Sequence, residues 1–370
     1  MYIHTLFMAV PVQLISTSFW QKLRKNKSTL FGIIVIGCAF LLAVCAYMVA
    51  PDHSPYANRM IVEIEGRKPG FSQTFLKIKK ESQPAATPFF QFLFNGREDA
   101  YTYLPITGYR VQQDAVSVSR YIDEGVADTV MIPLKNLAVP LSSNFVRQHY
   151  WLGTDKYGRD ILSRLIIGIR VSLGVGMIAI IISLTIGIVL GSVAGYYGGW
   201  VDNLVMWLVN VVWSIPTLLL VFAITLLLGK GFWQVFVAVG LTMWVSVARL
   251  VRGQVLVVKQ LEYAEAARAL GFTDMRILFR HILPNILGPV LVLAASNFAS
   301  AIIIEAGLSF LGVGVQPPQP SWGLMIKENY NFIITHNPVL ALAPGFAVML
   351  LVLAFNLLGN GLRDALSVRE

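Results

Sequence analysis

The stretch between Arg170 and Asp202 limits what this chain can fold into more than any other feature. No residue from 171 to 201 carries a charge, and a helix needs only about 20 apolar residues to cross the hydrocarbon core of a bilayer. Of the 370 residues, 56% are hydrophobic and 13% are charged, whereas soluble domains usually carry about a quarter charged residues. These values exclude a disordered chain, a secreted disulfide scaffold and an ordinary cytosolic enzyme.

Six stretches are apolar enough to cross a membrane. They lie at about residues 29–50, 171–197, 204–229, 231–250, 286–312 and 339–362. The first follows a basic cluster, as a signal peptide would, but its apolar run is longer than the roughly 7–15 residues of a signal. We therefore predict that it stays in the protein as the first of six transmembrane helices.

The basic residues predict the orientation of these spans. Cytoplasmic loops are enriched in Lys and Arg, and six such residues lie between Arg249 and Arg280 inclusive. Both termini are then cytoplasmic, with tails at residues 1–28 and 366–370. Four basic residues before the second span count against this orientation, but they end a long translocated region, where the rule is weaker. Topology and lipid headgroups thus explain the net charge of +9 without nucleic acid.

Residues 51–150 have the composition of a soluble domain. They carry eleven basic and ten acidic residues, and segments 60–65, 75–79 and 129–134 mix β-branched and polar residues in strand-like alternation. Turn signals lie between them. We predict an all-α polytopic membrane protein, N-in and C-in, with a β-rich extracytoplasmic domain at 51–150 and a core at 151–365.

The loop at residues 252–284 is the most informative segment for function. Apolar residues recur at every third position before Gly271, which predicts a helix with one apolar stripe. Gly271 suits a left-handed helix end, Thr273 suits the cap of a second helix, and Pro284 is expected to stop that helix. Physical reasoning alone allows this hairpin either to dock in the groove of a partner or to rest on anionic lipid.

This loop resembles the cytoplasmic coupling loop of binding-protein-dependent ABC importer permeases. The family pattern is Glu-Ala-Ala, three residues, Gly and, twelve residues later, Leu-Pro. It falls here on Glu265, Ala266, Ala267, Gly271, Leu283 and Pro284, with Glu262 in the same segment. In the family this loop seats against the ATPase subunit, so the resemblance implies that these residues couple the chain to an ATPase.

Further motifs resemble the second permease subunit of the peptide and nickel transporters. In chain order they are WLGTDKYGRDILSR at 151–164, GYYGGWVD at 195–202, EAGLSFLG at 305–312, SWG at 321–323 and FNLLGNGLRD at 355–364. The resemblance covers about residues 20–50 and 145–365. It implies the fold of a type I ABC importer permease and a place in the bacterial inner membrane.

The resemblance also implies partners: a homologous second permease, two cytoplasmic ABC ATPases that bind ATP and Mg, an extracytoplasmic solute-binding protein and membrane lipid. We expect no catalytic residue, cofactor or metal in this chain. Its five histidines include no pair at ligand spacing on one element. It also lacks a phosphate-binding Gly-x-x-x-x-Gly-Lys-Ser/Thr loop and a Gly-x-Ser-x-Gly elbow, so ATP hydrolysis is expected in the partner subunits.

Two sets of polar residues are candidates for the solute path. Glu305 lies within an apolar span, where a charge usually faces a cavity or a partner; it either lines the path or pairs within the protein. Asp155, Arg159 and Asp160 precede the second span at the predicted outer mouth. They either contact solute there or pack against the companion permease.

We therefore predict a permease subunit of an ATP-driven ABC importer for peptides or related solutes. One alternative is a self-powered secondary transporter or channel, which needs more ionisable residues within the spans than this chain offers. Another is an anchored receptor that acts through residues 51–150, which leaves the loop at 252–284 without a role.

Overall fold

The computed structural model describes residues 17–112, 114–123, 125–229, 231–335 and 337–366. The predicted cytoplasmic tails therefore lie partly outside the described residues, at 1–16 and 367–370. The chain divides into two units. The first, the helical unit, contains residues up to Ala39, Ser172–Gln316 and residues from Val348 onward. The second, the sheet unit, contains Phe40–Val171 and Pro317–Ala347.

The α-helices are numbered in chain order. They are α1 Thr17–Lys25, α2 Lys27–Val44, α3 Ala46–Val49, α4 Phe89–Asn95, α5 Ile161–Tyr197, α6 Gly199–Ser214, α7 Thr217–Leu228, α8 Phe232–Val258, α9 Glu262–Ala269, α10 Asp274–Ile277, α11 Leu283–Leu311, α12 Trp322–Asn329, α13 Phe332–Thr335 and α14 Val339–Leu366. Among the described residues, five helical segments are long and apolar enough to cross a membrane: α2, α5, α8, the segment Asp274–Leu311 and α14. The pair α6–α7 makes a sixth if it counts as one span.

The span predicted at 204–229 is two helices that meet at an angle of 93°. The break falls at Ile215 and Pro216, where Ile215 is extended with φ −92° and ψ 129°. Proline disfavours the helical conformation in the residue before it and provides no N–H of its own. The apolar run is therefore continuous although the helix is not.

Two helices extend beyond the charged residues at which the predicted spans begin or end. Helix α5 begins at Ile161 rather than near 171, and it includes Arg164 and Arg170. Helix α8 continues past Arg249 to Val258. A charge limits how far apolar contact with lipid extends, but it does not end a helix, because Arg is a good helix former.

The predicted helix stop at Pro284 is wrong. Helix α10 continues through one π-helical turn, Leu278–Ile282, into α11. Within this turn the N–H of Leu283 donates to the carbonyl of Leu278, and the side-chain amide of Asn285 donates to the carbonyl of His281 at 2.6 Å. A π-turn and a side-chain donor can accommodate a proline that would otherwise break the hydrogen-bond ladder, so the second helix of the hairpin and the fifth span form one segment.

The sheet unit contains five antiparallel strands in the order β4-β3-β2-β1-β5. They are β1 Phe71–Lys79, β2 Tyr101–Val111, β3 Ala115–Asp123, β4 Val126–Pro133 and β5 Phe145–Tyr150. The interior strand β1 buries Phe75 on one face, in a cluster with Ile64, and Leu76 on the other, in a cluster with Ile106. Successive side chains of a strand point to opposite faces, so both faces of the sheet are covered at β1.

Two of the three predicted strand segments are confirmed, because 75–79 lies in β1 and 129–134 overlaps β4. Segment 60–65 is not a strand. It contains a 3₁₀ turn, Val62–Ile64, whose Ile64 is buried against the sheet in the cluster that contains Phe75.

Three glycines spaced four residues apart let α5 approach α8 closely in the helical unit. A side chain at Gly191 would overlap the carbonyl oxygen of Ala248, and one at Gly195 would lie 2.9 Å from the carbonyl oxygen of Arg252. A side chain at Gly187 would meet Val247 at 2.5 Å. Small residues at this spacing form one helix face on which two backbones can pack together.

Candidate functional site

The helix of the predicted coupling loop, α9, rests on the helical unit through its alanines. Ala264 and Ala267 are buried, whereas Glu262, Glu265 and Ala266 are exposed. The predicted apolar stripe is thus only partly inward, because Leu261 and Leu270 at its two ends are exposed. The small buried side chains place the backbone of α9 close to the helices beneath it.

Gly271 ends α9 in the predicted left-handed conformation, with φ 76°. Its N–H donates to the carbonyl of Arg268 at 3.0 Å, and the N–H of Phe272 donates to the carbonyl of Ala267 at 3.2 Å. These two bonds satisfy carbonyls that would otherwise lack partners at the helix end. The reversal of the chain between α9 and α10 therefore depends on a glycine.

One hydrophobic cluster joins the predicted coupling loop to three apolar helices long enough to span a membrane. Ala267 of α9 and Ile277 of α10 belong to it, together with residues of α5, α8, the π-turn and α11: Tyr196, Val247, Val251, Val255, Val258, Leu278, Ile282, Ile286 and Val290. Because packed interiors have few voids and resist deformation, α9 cannot shift without moving these helices or opening the cluster.

Two hydrogen bonds also attach the loop to α5. The hydroxyl of Tyr196 donates to the Asp274 carboxylate at 2.7 Å, and the ammonium of Lys259 donates to the carbonyl of Gly195 at 2.8 Å. Both tie the loop to the end of α5. Asp274 lies in the first turn of α10, so its bond to Tyr196 joins α10 to α5.

The outward surface of the loop combines carboxylates with large apolar side chains, and Arg268, Arg276 and Arg280 are exposed there as well. Leu270 is 70% exposed, and the other exposed members are Leu261, Glu262, Tyr263, Glu265, Met275 and Phe279. Contiguous exposed apolar side chains on a protein surface are typical of an interaction site. We call these seven residues the loop surface.

Glu305 is buried within α11, and its carboxylate accepts a hydrogen bond near the end of that helix. The Ser309 hydroxyl donates to Glu305 Oε1 at 2.6 Å, and the N–H of Val315 donates to the Ser309 hydroxyl at 3.1 Å. Gly312 ends the helix in the left-handed region, with φ 84°. Glu305 thus stabilises the turn that follows the span, and its position along a solute path stays a prediction.

Asp155 and Arg159 form a buried ion network in the sheet unit. Arg159, 1% exposed at its side chain, donates to Asp155 Oδ2 at 2.6 Å and to Glu328 Oε2 at 2.7 Å. A third bond reaches the side-chain oxygen of Asn58 at 3.2 Å. These bonds join the turn before α5 to α12. The sequence offered no signal for Glu328, which lies 169 positions away.

Asp160 is also buried but borders a cavity. Its Oδ2 accepts from the N–H of Ser163 at 2.9 Å and from the Ser163 hydroxyl, and burial raises its pKa. The cavity measures about 160 Å³. Its lining includes Asp52, Arg59, Tyr150 and Asp160. Contact of solute with Asp155, Arg159 or Asp160 stays a prediction.

A larger cavity lies at the break between α6 and α7. It measures about 370 Å³ and is mainly apolar, with four hydroxyl groups: Thr217, Thr242, Ser246 and Ser300. Pro216, which immediately precedes α7, was the only signal of this break in the sequence. Within the described ranges, no three His, Cys, Asp or Glu side chains come together as metal ligands.

The comparisons with known proteins identify the family. Residues 187–369 match the model of the family described as binding-protein-dependent transport system inner membrane component. Over 217 residues the chain is 46% identical to the glutathione transport system permease protein GsiD of Pectobacterium atrosepticum. This alignment covers 59% of the chain and 72% of that GsiD. The chain belongs to this permease family. The GsiD of Escherichia coli O6:K15:H31 is likewise 46% identical, over 218 residues, with 59% and 71% covered.

Among solved structures, an inward-facing form of the MetNI methionine ABC transporter is similar to this permease, with 20% identity and a TM-score of 0.47. The alignment covers 56% of the permease and 98% of the MetNI chain. The family model and the GsiD relatives confirm the family that the motifs indicated. The permease is a multi-pass subunit of an ABC importer in the inner membrane, which favours this reading over a secondary transporter, a channel or an anchored receptor.

Proposed function

We propose that the permease carries peptides or related solutes and that α9, with the turn at Gly271, couples it to an ATPase. The relatives named for glutathione, which is a tripeptide, support the solute class. The observation that carries the coupling role is the two-sided character of α9. Ala264 and Ala267 are buried, and Ala267 belongs to the cluster formed with the membrane helices, while Glu262, Glu265 and Ala266 are exposed.

The loop surface suits a protein partner better than a lipid surface. Helix α9 exposes Glu262, Glu265 and Arg268, so its exposed charge is net negative and anionic lipid would repel its carboxylates. The exposed Arg276 and Arg280 lie beyond the turn at Gly271. A groove on a protein can bury Leu270 and Phe279 while offering donors to these carboxylates. The continuous helix through Leu283 and Pro284 would then carry a displacement of the loop into α11.

The proposed assembly contains this permease, a homologous second permease, two cytoplasmic ATPases and an extracytoplasmic solute-binding protein. ATP and Mg would bind to the ATPases, and this chain would supply no catalytic group. Closure of the ATPases would favour one of two arrangements of the paired permeases, since a ligand shifts a conformational equilibrium only by its differential affinity for the two states. The β-rich domain at 51–150 would lie on the extracytoplasmic side of the membrane, as would the solute-binding protein.

The cavity at the α6–α7 break is the part of the described chain best suited to line the solute path. Interrupted helices at membrane depth are tolerated where they line a cavity or are buried in protein. The four hydroxyl groups there could accept hydrogen bonds from a passing peptide without holding it tightly.

Copurification tests this proposal. We would tag the permease, extract it from its own membranes in mild detergent and identify the proteins that accompany it, for the wild type and for a variant with Glu265→Ala and Gly271→Leu. We expect a second permease and two ATPases with the wild type. The variant should lose the ATPases and keep the second permease, which also shows that it is folded.

Glu98→Ala is the matched control, because it removes an exposed carboxylate in the sheet unit; all partners should be retained. A wild-type chain that is recovered alone or as a homo-oligomer, and that transports without ATP in vesicles, would contradict the proposal. Retention of the ATPases by the double variant would place the coupling site elsewhere.

A further inference from the structure

Helix α4 exposes an aromatic surface in the sheet unit. Phe90 is 74% exposed, and Phe89 and Phe94 are exposed to a similar degree. Phe90 and Phe94 are four residues apart, so they lie on one face of the helix. No charged residue occurs between Glu81 and Arg97. We call Phe89, Phe90 and Phe94 the phenylalanine surface.

The inward side of α4 is fixed, so the orientation of this surface is fixed as well. Phe92 packs against a cluster that includes Tyr47 and Ile167. Gly96, just after the helix, has φ 75°, and a side chain there would lie 2.7 Å from the Tyr47 ring. The three exposed rings therefore cannot turn inward without breaking these contacts.

Arg170 places α4 at the end of the first membrane span. Its guanidinium donates to the carbonyls of Ala43 at 2.6 Å and Val44 at 3.0 Å, which end α2. The same group donates to the carbonyls of Leu93 at 2.7 Å and Phe94 at 2.8 Å. Because one guanidinium reaches all four oxygens, the end of α4 lies at the level where α2 ends.

The exposed apolar surface of the span continues to this level. Leu41, Val44 and Met48 are exposed, large and apolar, and a helix that spans a membrane presents such side chains to lipid. The phenylalanine surface lies beside them, joined through Arg170. An apolar surface continuous with the lipid-facing side of a span has the bilayer as its natural partner.

We propose that α4 is an interfacial helix that inserts its phenylalanine surface into the bilayer at the end of α2. Apolar rings that enter the boundary between headgroups and acyl chains hold such helices in the plane of the membrane. The helix thereby fixes the β-rich domain at 51–150 against the membrane. The proposal depends on α2 being a span and does not depend on the solute or the direction of transport.

Spin labels measure the depth of these residues. With Cys38→Ala and Cys45→Ala as background, single variants Phe90→Cys and Phe94→Cys are labelled with a nitroxide. The whole transporter is then placed in nanodiscs of phosphatidylethanolamine and phosphatidylglycerol. Leu41→Cys is the control for a lipid-facing position, and Val139→Cys, at a residue 96% exposed in the same domain, is the control for water.

We expect labels at 90 and 94 to behave like the label at 41. They should collide several-fold more often with lipid-soluble oxygen than with a water-soluble nickel chelate, relative to the label at 139. Labels at 90 and 94 that match position 139 would overturn the proposal. Labels shielded from both reagents would also overturn it, because they would show that a protein subunit covers α4.

Discussion

Two buried arginines in the sheet unit have the same charge but different bonding. Arg159 donates three hydrogen bonds, to Asp155, Asn58 and Glu328. The guanidinium of Arg164 lies 3.9 Å from Asp155 and 3.8 Å from Glu328, beyond hydrogen-bond length. Arg159→Met should therefore be the more destabilising change, with a cost of about 3–5 kcal/mol because two buried carboxylates lose their donor. Thermal unfolding of the purified transporter in detergent measures the difference.

Arg164→Met is the matched control, since it removes the same charge from the same network. Equal losses of stability would show that charge balance alone holds the network and would contradict the expectation. Uptake assays on the same variants test the predicted outer mouth. A fall in uptake that follows the amount of folded permease indicates a structural role for Arg159, whereas lost uptake at unchanged stability would indicate contact with solute.

At the scale of elements, the packing of α5 on α8 depends on the missing side chains at Gly187, Gly191 and Gly195. Gly191→Ala places a methyl group against the carbonyl oxygen of Ala248, so the two helices must separate. Overpacking of this kind typically costs about 1–3 kcal/mol. We expect a lower thermal midpoint of unfolding and a smaller yield of intact transporter.

Gly253→Ala on α8 is the control for this pair, because a methyl group there meets nothing within 4 Å. The change should be neutral or stabilising by up to about 1 kcal/mol, since alanine favours helix over glycine. Equal destabilisation by both changes would mean that close packing is not the reason for Gly191.

The same elements show how far the sequence predicts this fold. Long uncharged runs identify the spans because the bilayer demands them, and Gly271 is readable because a left-handed turn favours glycine. The helix stop predicted at Pro284 is wrong because the π-turn and the Asn285 side chain that accommodate this proline depend on local geometry. Glu328 is not predictable as the partner of Arg159, because no local pattern links residues so distant in the chain. The spacing of Gly187, Gly191 and Gly195 is a signal of close helix packing that is readable in the sequence.

At the scale of the whole molecule, the bent pair α6–α7 decides which side of the membrane the loop at residues 252–284 occupies. Two spans, α2 and α5, bring the chain back to the side on which it began. If α6–α7 crosses the membrane once and α8 crosses back, the loop after α8 lies on the side where the chain began, opposite residues 51–150. If α6–α7 enters and leaves the membrane on one side, α8 instead brings the loop to the same side as residues 51–150.

Two labelling sites separate these topologies. On the background of Cys38→Ala and Cys45→Ala, we expect a membrane-impermeant maleimide to label Val139→Cys in intact spheroplasts and to label Gln260→Cys only after permeabilisation. Gln260 lies between α8 and α9 and is exposed, and both sites should react in detergent as a control for reactivity. The basic residues around the loop favour a cytoplasmic position for Gln260, because cytoplasmic loops are enriched in Lys and Arg. Labelling of both sites from outside would make α6–α7 a re-entrant pair, and α9 would then face away from any cytoplasmic ATPase.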